Sequence, residues 1–292
     1  MTPRQHRAHG KVILLGEHSV VYGHPALAGA LADGVIVDAT AGRGLLRIPQ
    51  WDVVIDPTVD SDATLARAYA EIRARAVAPA VDLTLTFNLP TGAGLGSSAA
   101  MAVAVGRALG LEGAMLADAA MASETVIHGT PSGLDHTVSM AGGFGLFTRS
   151  GGLASLKAAP LPLVIGHTGK ARDTKGRVAR VAQLLAERSD ETRGRFAAIE
   201  ALVQRGAGAV ARGSYGELGA AMTENQRHLE ALDVSCPEIE RMCAIARDAG
   251  AFGAKLTGGG GGGCVIAVGN DRPVADAWRA AGYEVFSATV SA

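Results

Sequence analysis

The chain has 292 residues, 48% apolar and 19% charged, which at roughly 150 residues per domain predicts about two domains with sizeable cores. Its 27 basic and 28 acidic side chains nearly cancel, so a nucleic-acid partner, which would need a basic excess, is not expected. No apolar run reaches the roughly 18 residues of a membrane span, and the first residues lack a signal-peptide core. We therefore predict a cytoplasmic protein without membrane contact.

The first half of the chain predicts a mixture of strands and helices. Residues 62–78 carry apolar side chains at helical spacing, whereas Leu83, Leu85 and Phe87 alternate as in a strand. Strands are predicted at 11–15, 35–37, 83–87 and 142–147, and helices at 62–78, 99–109 and 113–127.

Near residue 157 the pattern shifts towards arginine-rich amphipathic helices, which predicts domains at 1–157 and 158–292. Because strands and helices do not alternate regularly, we expect an α+β fold rather than a doubly wound sheet. Helices are predicted between 174 and 206 and at 214–231, 237–249 and 273–281, with strands at 163–166, 264–268 and 284–288.

The cysteines, Cys236, Cys243 and Cys264, are odd in number and lack Cys-x-x-Cys spacing. Neither a disulfide framework nor a zinc site is expected from this arrangement. We predict three buried thiols.

Glycine is unusually abundant, at 39 of 292 residues against a typical share of about 7%. The glycines fall in clusters rather than in a repeat, which indicates loops where the backbone approaches a ligand or adopts positive φ.

One cluster is TGAGLGSS, residues 91–98, placed directly before a predicted helix. The unpaired N–H groups of a helix N-terminus suit a phosphate there. The alternative is an ordinary helix cap made by Ser97 or Ser98.

The second cluster is a run of six glycines, residues 258–263, before a predicted strand. Ordering six glycines costs considerable backbone entropy, which favours a backbone surface beside a ligand over a simple connector. A disordered surface loop is the alternative.

Three charged residues complete the candidate site. Asp135 follows a Pro/Gly turn in an apolar setting and is either a general base or a turn residue. Glu124 lies near the end of a buried helix and Lys11 opens a buried strand, although each could simply be solvated. A glycine-rich loop, hydroxyls before a helix, two carboxylates and a lysine together suit phosphoryl transfer. The His-Arg-Asp and Asp-Phe-Gly signatures of protein kinases are absent.

Three segments in this order, GKVILLGEHSVVYGHPAL, PTGAGLGSSAA and KLTGGGGGGC, resemble the motifs of the GHMP kinases, a superfamily of small-molecule kinases. The sequences GEHSVVYG and HGTPSGLD make the chain most similar to the mevalonate kinase family within it. The resemblance implies a two-domain α+β GHMP kinase fold, with an N-terminal domain like domain 2 of ribosomal protein S5 and a ferredoxin-like C-terminal domain.

The resemblance also implies a reaction, the phosphorylation of the C5 hydroxyl of (R)-mevalonate by ATP. Asp135 would be the base and Lys11 would stabilise charge, while Ser98 and Glu124 would hold Mg²⁺. The expected partners are the small molecules ATP and mevalonate, and a homodimer is the candidate assembly. The implied ATP-binding residues are Gly92, Ala93, Gly94, Leu95, Gly96, Ser97 and Ser98, and the implied substrate-binding residues are Glu17, His18, Thr174, Gly259 and Gly260.

Two alternatives remain open from the sequence. A kinase for phosphomevalonate or another small alcohol shares the ATP motifs, although phosphomevalonate would call for additional basic groups at the acceptor end. A sensor that binds metabolites without turnover is a different class, and the presence of Lys11, Glu124 and Asp135 argues against it.

Overall fold

The computed structural model describes residues 4–59, 61–77 and 80–291, and these residues form two compact units that interleave along the chain. Unit 1 comprises the described residues within 1–11, 33–91 and 96–141, and unit 2 comprises those within 12–32, 92–95 and 142–292. The proposed division into 1–157 and 158–292 stays a prediction. No helix in the described part of the chain is long and apolar enough to cross a membrane.

The strands of the described residues, in chain order, are β1 Arg4–Leu15, β2 Ala26–Ala41, β3 Leu46–Ile48, β4 Val53–Ile55, β5 Val81–Phe87, β6 Phe144–Thr148, β7 Gly152–Leu156, β8 Leu161–His167, β9 Gly253–Thr257, β10 Cys264–Val268 and β11 Glu284–Val290. The α-helices are α1 Thr64–Arg73, α2 Ser97–Ala108, α3 Gly113–His128, α4 Leu134–Ala141, α5 Thr174–Glu187, α6 Ser189–Ala211, α7 Tyr215–Ala231, α8 Pro237–Asp248 and α9 Asp271–Ala280.

Unit 1 combines a small sheet with helices α1 to α4. The second half of β2 pairs antiparallel with β5, from Val35 opposite Phe87, while β3 pairs parallel with β5 and antiparallel with β4. Helix α2 is almost wholly buried and packs against α3 and α4. Its small side chains permit this close approach, since a Cβ at Gly106 would lie 2.4 Å from the Leu116 side chain on α3.

Unit 2 is built on the antiparallel strand order β11-β8-β10-β9, with helices α5 to α9. Apolar side chains of β8 and β10 are buried, and the fully buried Trp278 of α9 donates from Nε1 to the carbonyl of Met242 on α8 at 2.9 Å. This core supports the residues that lie at the ends of β9 and β10.

The predicted elements are present, but β1 and β2 are much longer than the predicted 11–15 and 35–37, and three further differences appear. Helix α1 ends at Arg73 rather than continuing to 78, a residue outside the described part of the chain. The predicted helical stretch 174–206 is two helices that meet at Arg188. Beyond the predicted Pro/Gly turn, Asp135 lies in a short helix, α4, that was not predicted. All three cysteines are buried free thiols, which confirms that prediction.

Candidate active site

The first feature of the site is an ion pair in unit 1 between Lys11 and Asp135. Lys11 lies on β1 with 3% of its side chain exposed, and its Nζ is 3.2 Å from Oδ1 of Asp135. Asp135 lies in the first turn of α4, where the helix dipole favours a negative charge, and is about one third exposed. The structure thus joins two residues that are 124 positions apart in the sequence and leaves the carboxylate accessible.

The end of the first glycine cluster lies against this lysine. Gly96 has φ of +73° and occupies the N-cap position of α2, which has no side-chain cap. A Cβ at Gly96 would lie 2.7 Å from Cγ of Lys11, so only glycine permits this approach. The interpretation of Ser97 or Ser98 as an ordinary helix cap is therefore wrong. Among the described residues, no capping side chain accepts a hydrogen bond from the first-turn N–H groups of α2.

Helix α3 contributes a buried carboxylate. Glu124 is 2% exposed, and its Oε1 is buried without a hydrogen-bond partner among the described residues. Burial, and secondarily the negative charge of Asp135, raises the pKa of Glu124 to about 7, whereas Ser98 and Lys11 act in the opposite direction. Glu124 is thus not a solvated helix residue, and a buried carboxylate without a full set of partners suits a bound cation.

Ser98 and His128 lie beside this carboxylate. The Ser98 hydroxyl is within hydrogen-bond distance of His128 Nε2, at 3.0 Å, and the same Nε2 is 3.9 Å from Glu124 Oε2. The described residues include no group of three or more His, Cys, Asp or Glu side chains that could hold a metal by themselves. Ser98 and Glu124 nevertheless supply hydroxyl and carboxylate oxygen, the donors that Mg²⁺ prefers when phosphate and water complete its shell.

In unit 2, Arg172 lies against both glycine clusters. Its Nε donates to the carbonyl of Gly92 at 3.2 Å. Cβ atoms at Gly94 and Gly263 would lie 3.1 Å and 2.5 Å from this side chain. The structure therefore places a cation at the loop that was predicted to bind phosphate. Sequence reasoning did not select Arg172.

The six-glycine loop is hydrogen-bonded, and four of its glycines, residues 260–263, are buried. Gly261 N–H donates to the carbonyl of Val234 at 2.9 Å, Gly263 N–H donates to that of Lys170 at 3.0 Å, and Thr168 N–H donates to that of Gly263 at 2.9 Å. Five of its glycines have φ between +70° and +148°. The disordered-connector alternative is therefore wrong, because this backbone is held in a conformation that L side chains rarely adopt.

Gly259 joins two of the predicted substrate-binding side chains. His18 Nε2 lies 3.1 Å from the carbonyl oxygen of Gly259, and a Cβ at Gly259 would lie 2.6 Å from Oγ1 of Thr174. Thr174 begins α5, capped by Asp173, which accepts from the N–H of Gly176. Burial, and secondarily the charge of Lys255, lowers the pKa of His18 to about 4, so this imidazole is neutral at physiological pH.

Glu17, another predicted substrate-binding residue, belongs to a buried ion pair. Its Oε1 accepts from Nζ of Lys255, and its Oε2 accepts from Nδ2 of Asn225 at 3.3 Å. Glu17 and Lys255 are 1% and 0% exposed. Sequence reasoning missed both partners of Glu17, because Lys255 stood out only as a flank of the glycine loop and Asn225 lies inside the amphipathic pattern of α7.

Comparison with known proteins identifies the family to which these residues and their fold belong. The family models for the N-terminal and C-terminal domains of GHMP kinases match residues 63–143 and 198–287. The chain is 36% identical to the mevalonate kinase of Pyrococcus horikoshii over 94% of this chain and 92% of that relative. It is 34% identical to the mevalonate kinase of Thermococcus onnurineus over 91% of this chain and 89% of that relative.

Solved structures share the fold. The mevalonate kinase of L. major, solved in complex with R-mevalonate, superposes with a TM-score of 0.87 at 24% identity, covering 99% of this chain and 96% of that one. The Methanococcus jannaschii mevalonate kinase gives 0.86 at 22% identity, covering 99% of both chains. The expected two-domain GHMP kinase fold is confirmed. On the strength of the sequence relatives, the chain belongs to the mevalonate kinase family.

Proposed function

We propose that this chain transfers the γ-phosphate of ATP to the C5 hydroxyl of (R)-mevalonate, which yields 5-phosphomevalonate and ADP for isoprenoid precursor synthesis. The observation that carries the proposal is the Lys11–Asp135 ion pair, set beside a glycine loop and a buried carboxylate in a member of the mevalonate kinase family. A lysine and a partly exposed carboxylate at 3.2 Å suit the deprotonation of an alcohol.

In this proposal Asp135 takes the proton of the C5 hydroxyl as that oxygen attacks the γ-phosphorus. Lys11 stabilises the negative charge that develops on the attacking oxygen and the transferred phosphoryl group. Because its ammonium also pairs with Asp135, Lys11 keeps the carboxylate close to the reacting hydroxyl. The bond from the γ-phosphorus to the bridging oxygen of ADP breaks in the same step.

Residues 92–98 would hold the phosphates of ATP. Gly92 and Gly94 lie by Arg172, whereas Gly96 caps α2 and Ser97 and Ser98 open it, where backbone N–H groups and the helix dipole favour an anion. Arg172 would add a positive charge to this loop.

Ser98 and Glu124 would hold Mg²⁺, which when bound supplies charge neutralisation for the transferred phosphate. The unpartnered buried oxygen of Glu124 supports this assignment. We expect Glu124→Gln to raise the Mg²⁺ concentration that gives half-maximal activity about tenfold, because a charged ligand is lost. If activity plotted against Mg²⁺ concentration superimposes on that of the wild-type protein, Glu124 is not a ligand.

On the acceptor side, His18, Thr174, Gly259 and Gly260 would contact mevalonate. The convergence of His18 and Thr174 on Gly259 supports this grouping. The two internal partners of Glu17 favour a role for its carboxylate in fixing this region rather than in direct contact with substrate. The homodimer and the cytoplasmic location stay predictions from the sequence.

An acceptor panel tests the proposed function. The purified chain is incubated with ATP, Mg²⁺ and either mevalonate, phosphomevalonate, homoserine or galactose, and ADP release is measured. We expect turnover with mevalonate alone. Preferred turnover of phosphomevalonate would reassign the substrate, and binding of ATP without turnover of any acceptor would indicate a sensor.

A further inference from the structure

We propose that His128 is a positioning residue that orients the Ser98 hydroxyl towards the divalent cation. The inference rests on the cation site proposed above, to which it adds a residue that holds one of the oxygen donors in place. His128 itself contacts neither substrate in this account.

The geometry places His128 at the cation site. It is the last residue of α3 and follows Glu124 by four positions, so both side chains lie on one face of the helix. Its Nε2 is 3.0 Å from Oγ of Ser98 and 3.9 Å from Oε2 of Glu124. One nitrogen is therefore close to both of the oxygen donors.

The chemistry of a hydroxyl ligand explains why such a neighbour is needed. A serine hydroxyl has one hydrogen and two lone pairs. When a lone pair of Ser98 Oγ faces a cation, the hydrogen must point away from it, and an acceptor in that direction fixes the hydroxyl rotor. His128 Nε2 at 3.0 Å is such an acceptor in the tautomer that carries its hydrogen on Nδ1. Partners of this kind commonly change metal affinity by about 10- to 100-fold.

The exposure of His128 distinguishes this positioning role from a contribution to the hydrophobic core. The His128 side chain is 43% exposed at the end of its helix, so its replacement should leave the fold intact. Glutamine can place its carbonyl oxygen near the position of Nε2, whereas the side chain of asparagine is too short to reach it. The two variants therefore form a matched pair that differs in reach.

The experiment measures Mn²⁺ binding to the full chain by electron paramagnetic resonance, with the methylene analogue of ATP, AMPPCP, present at saturation. The proteins are the wild type, His128→Asn, His128→Gln, Ser98→Ala and the double variant His128→Asn/Ser98→Ala. We expect His128→Asn to weaken Mn²⁺ binding at least tenfold and His128→Gln to bind within about threefold of the wild type. On the Ser98→Ala background, His128→Asn should add no further loss. Melting temperatures serve as the control for folding.

Four outcomes would overturn the inference. Wild-type affinity in His128→Asn would show that the contact is dispensable. An equal loss from His128→Asn with and without Ser98 would show that the imidazole acts by another route, as would a loss in His128→Gln as large as that in His128→Asn. If the wild-type protein binds no Mn²⁺ with AMPPCP, the proposed cation site itself fails, and the inference fails with it.

Discussion

Two buried lysines of the described residues, Lys255 and Lys11, each pair with a carboxylate, and the two pairs differ in their surroundings. In unit 2, Lys255 and Glu17 are fully buried, and both oxygens of Glu17 accept from internal donors. In unit 1, Lys11 is buried but Asp135 is one third exposed, and the neighbouring Glu124 has a buried oxygen without a hydrogen-bond partner in the described part of the chain. The first pair is satisfied within the protein, whereas the second lies in a cluster with two carboxylates and one lysine.

This difference separates a structural pair from a reactive one. A buried pair whose donors and acceptors match holds two segments together, here the residues after β1 and strand β9. Burial, and secondarily the negative charge of Asp135, raises the pKa of Glu124, so this cluster favours the binding of a cation or a proton. We therefore expect substitutions in the first pair to affect stability and substitutions in the second to affect turnover.

The largest expected effect on stability comes from Lys255→Met. This change leaves the Glu17 carboxylate buried without its cation, which typically costs about 3–5 kcal/mol of unfolding free energy. Urea denaturation followed by circular dichroism measures the loss. The matched control is Glu17→Gln/Lys255→Met, which removes both charges and should recover a large part of the stability. A single variant as stable as the wild type would show that the pair is not structural.

The same region should respond to pH through His18. Its pKa is about 4 in the folded protein, against an ordinary value near 6.5, so between these values the unfolded chain binds a proton that the folded chain does not. The unfolding free energy should therefore decrease as pH falls through this window, by up to about 3 kcal/mol. Above the window, His18 should add no pH dependence to the unfolding free energy.

His18→Asn isolates this contribution, because asparagine tolerates the positive φ of 62° at this position better than most residues. The difference in unfolding free energy between the two proteins should change between pH 4 and 6.5. A difference that is constant across this range would contradict a buried neutral His18.

A smaller effect is expected from Gly260→Ala in the glycine loop. Gly260 has φ of +76°, and a Cβ there would lie 2.0 Å from the carbonyl oxygen of Val234. The strained backbone alone costs about 1–2 kcal/mol, and the close contact adds to it. Gly194→Ala in α6 is the control, because its Cβ would meet nothing within 4 Å and should stabilise the helix slightly. A Gly260→Ala variant as stable as Gly194→Ala would show that the loop is not held as described.

The sequence predicted the elements with strong periodicity and the motifs that are local. Helices α2 and α3 and strand β10 were predicted within about two residues of their ends, because their apolar patterns reflect burial. Strands β3, β4, β7 and β9 were not predicted. Each has three to five residues and lacks a continuous five-residue apolar run like that of β10, and their pairing depends on neighbours distant in sequence.

The candidate site shows the same division. Ser98 and Glu124 were candidates from the sequence, but only the family resemblance assigned them to one cation site, because their mutual proximity depends on the packing of α2 against α3. Three contacts of the site join residues from separate segments: Asn225 with Glu17, Arg172 with Gly92, and His128 with Ser98. No local sequence pattern predicts such pairs, because tertiary packing brings their side chains together.

The central claim is that the Lys11–Asp135 pair is the reactive one, and turnover of mevalonate by Asp135→Asn tests it most directly. The change removes the proton acceptor, while the amide oxygen can still accept a hydrogen bond from Lys11. We expect kcat to fall by about 10²- to 10⁴-fold, with ATP binding unchanged and a smaller loss of stability than in Lys255→Met. Turnover of Asp135→Asn at the wild-type rate would contradict the account.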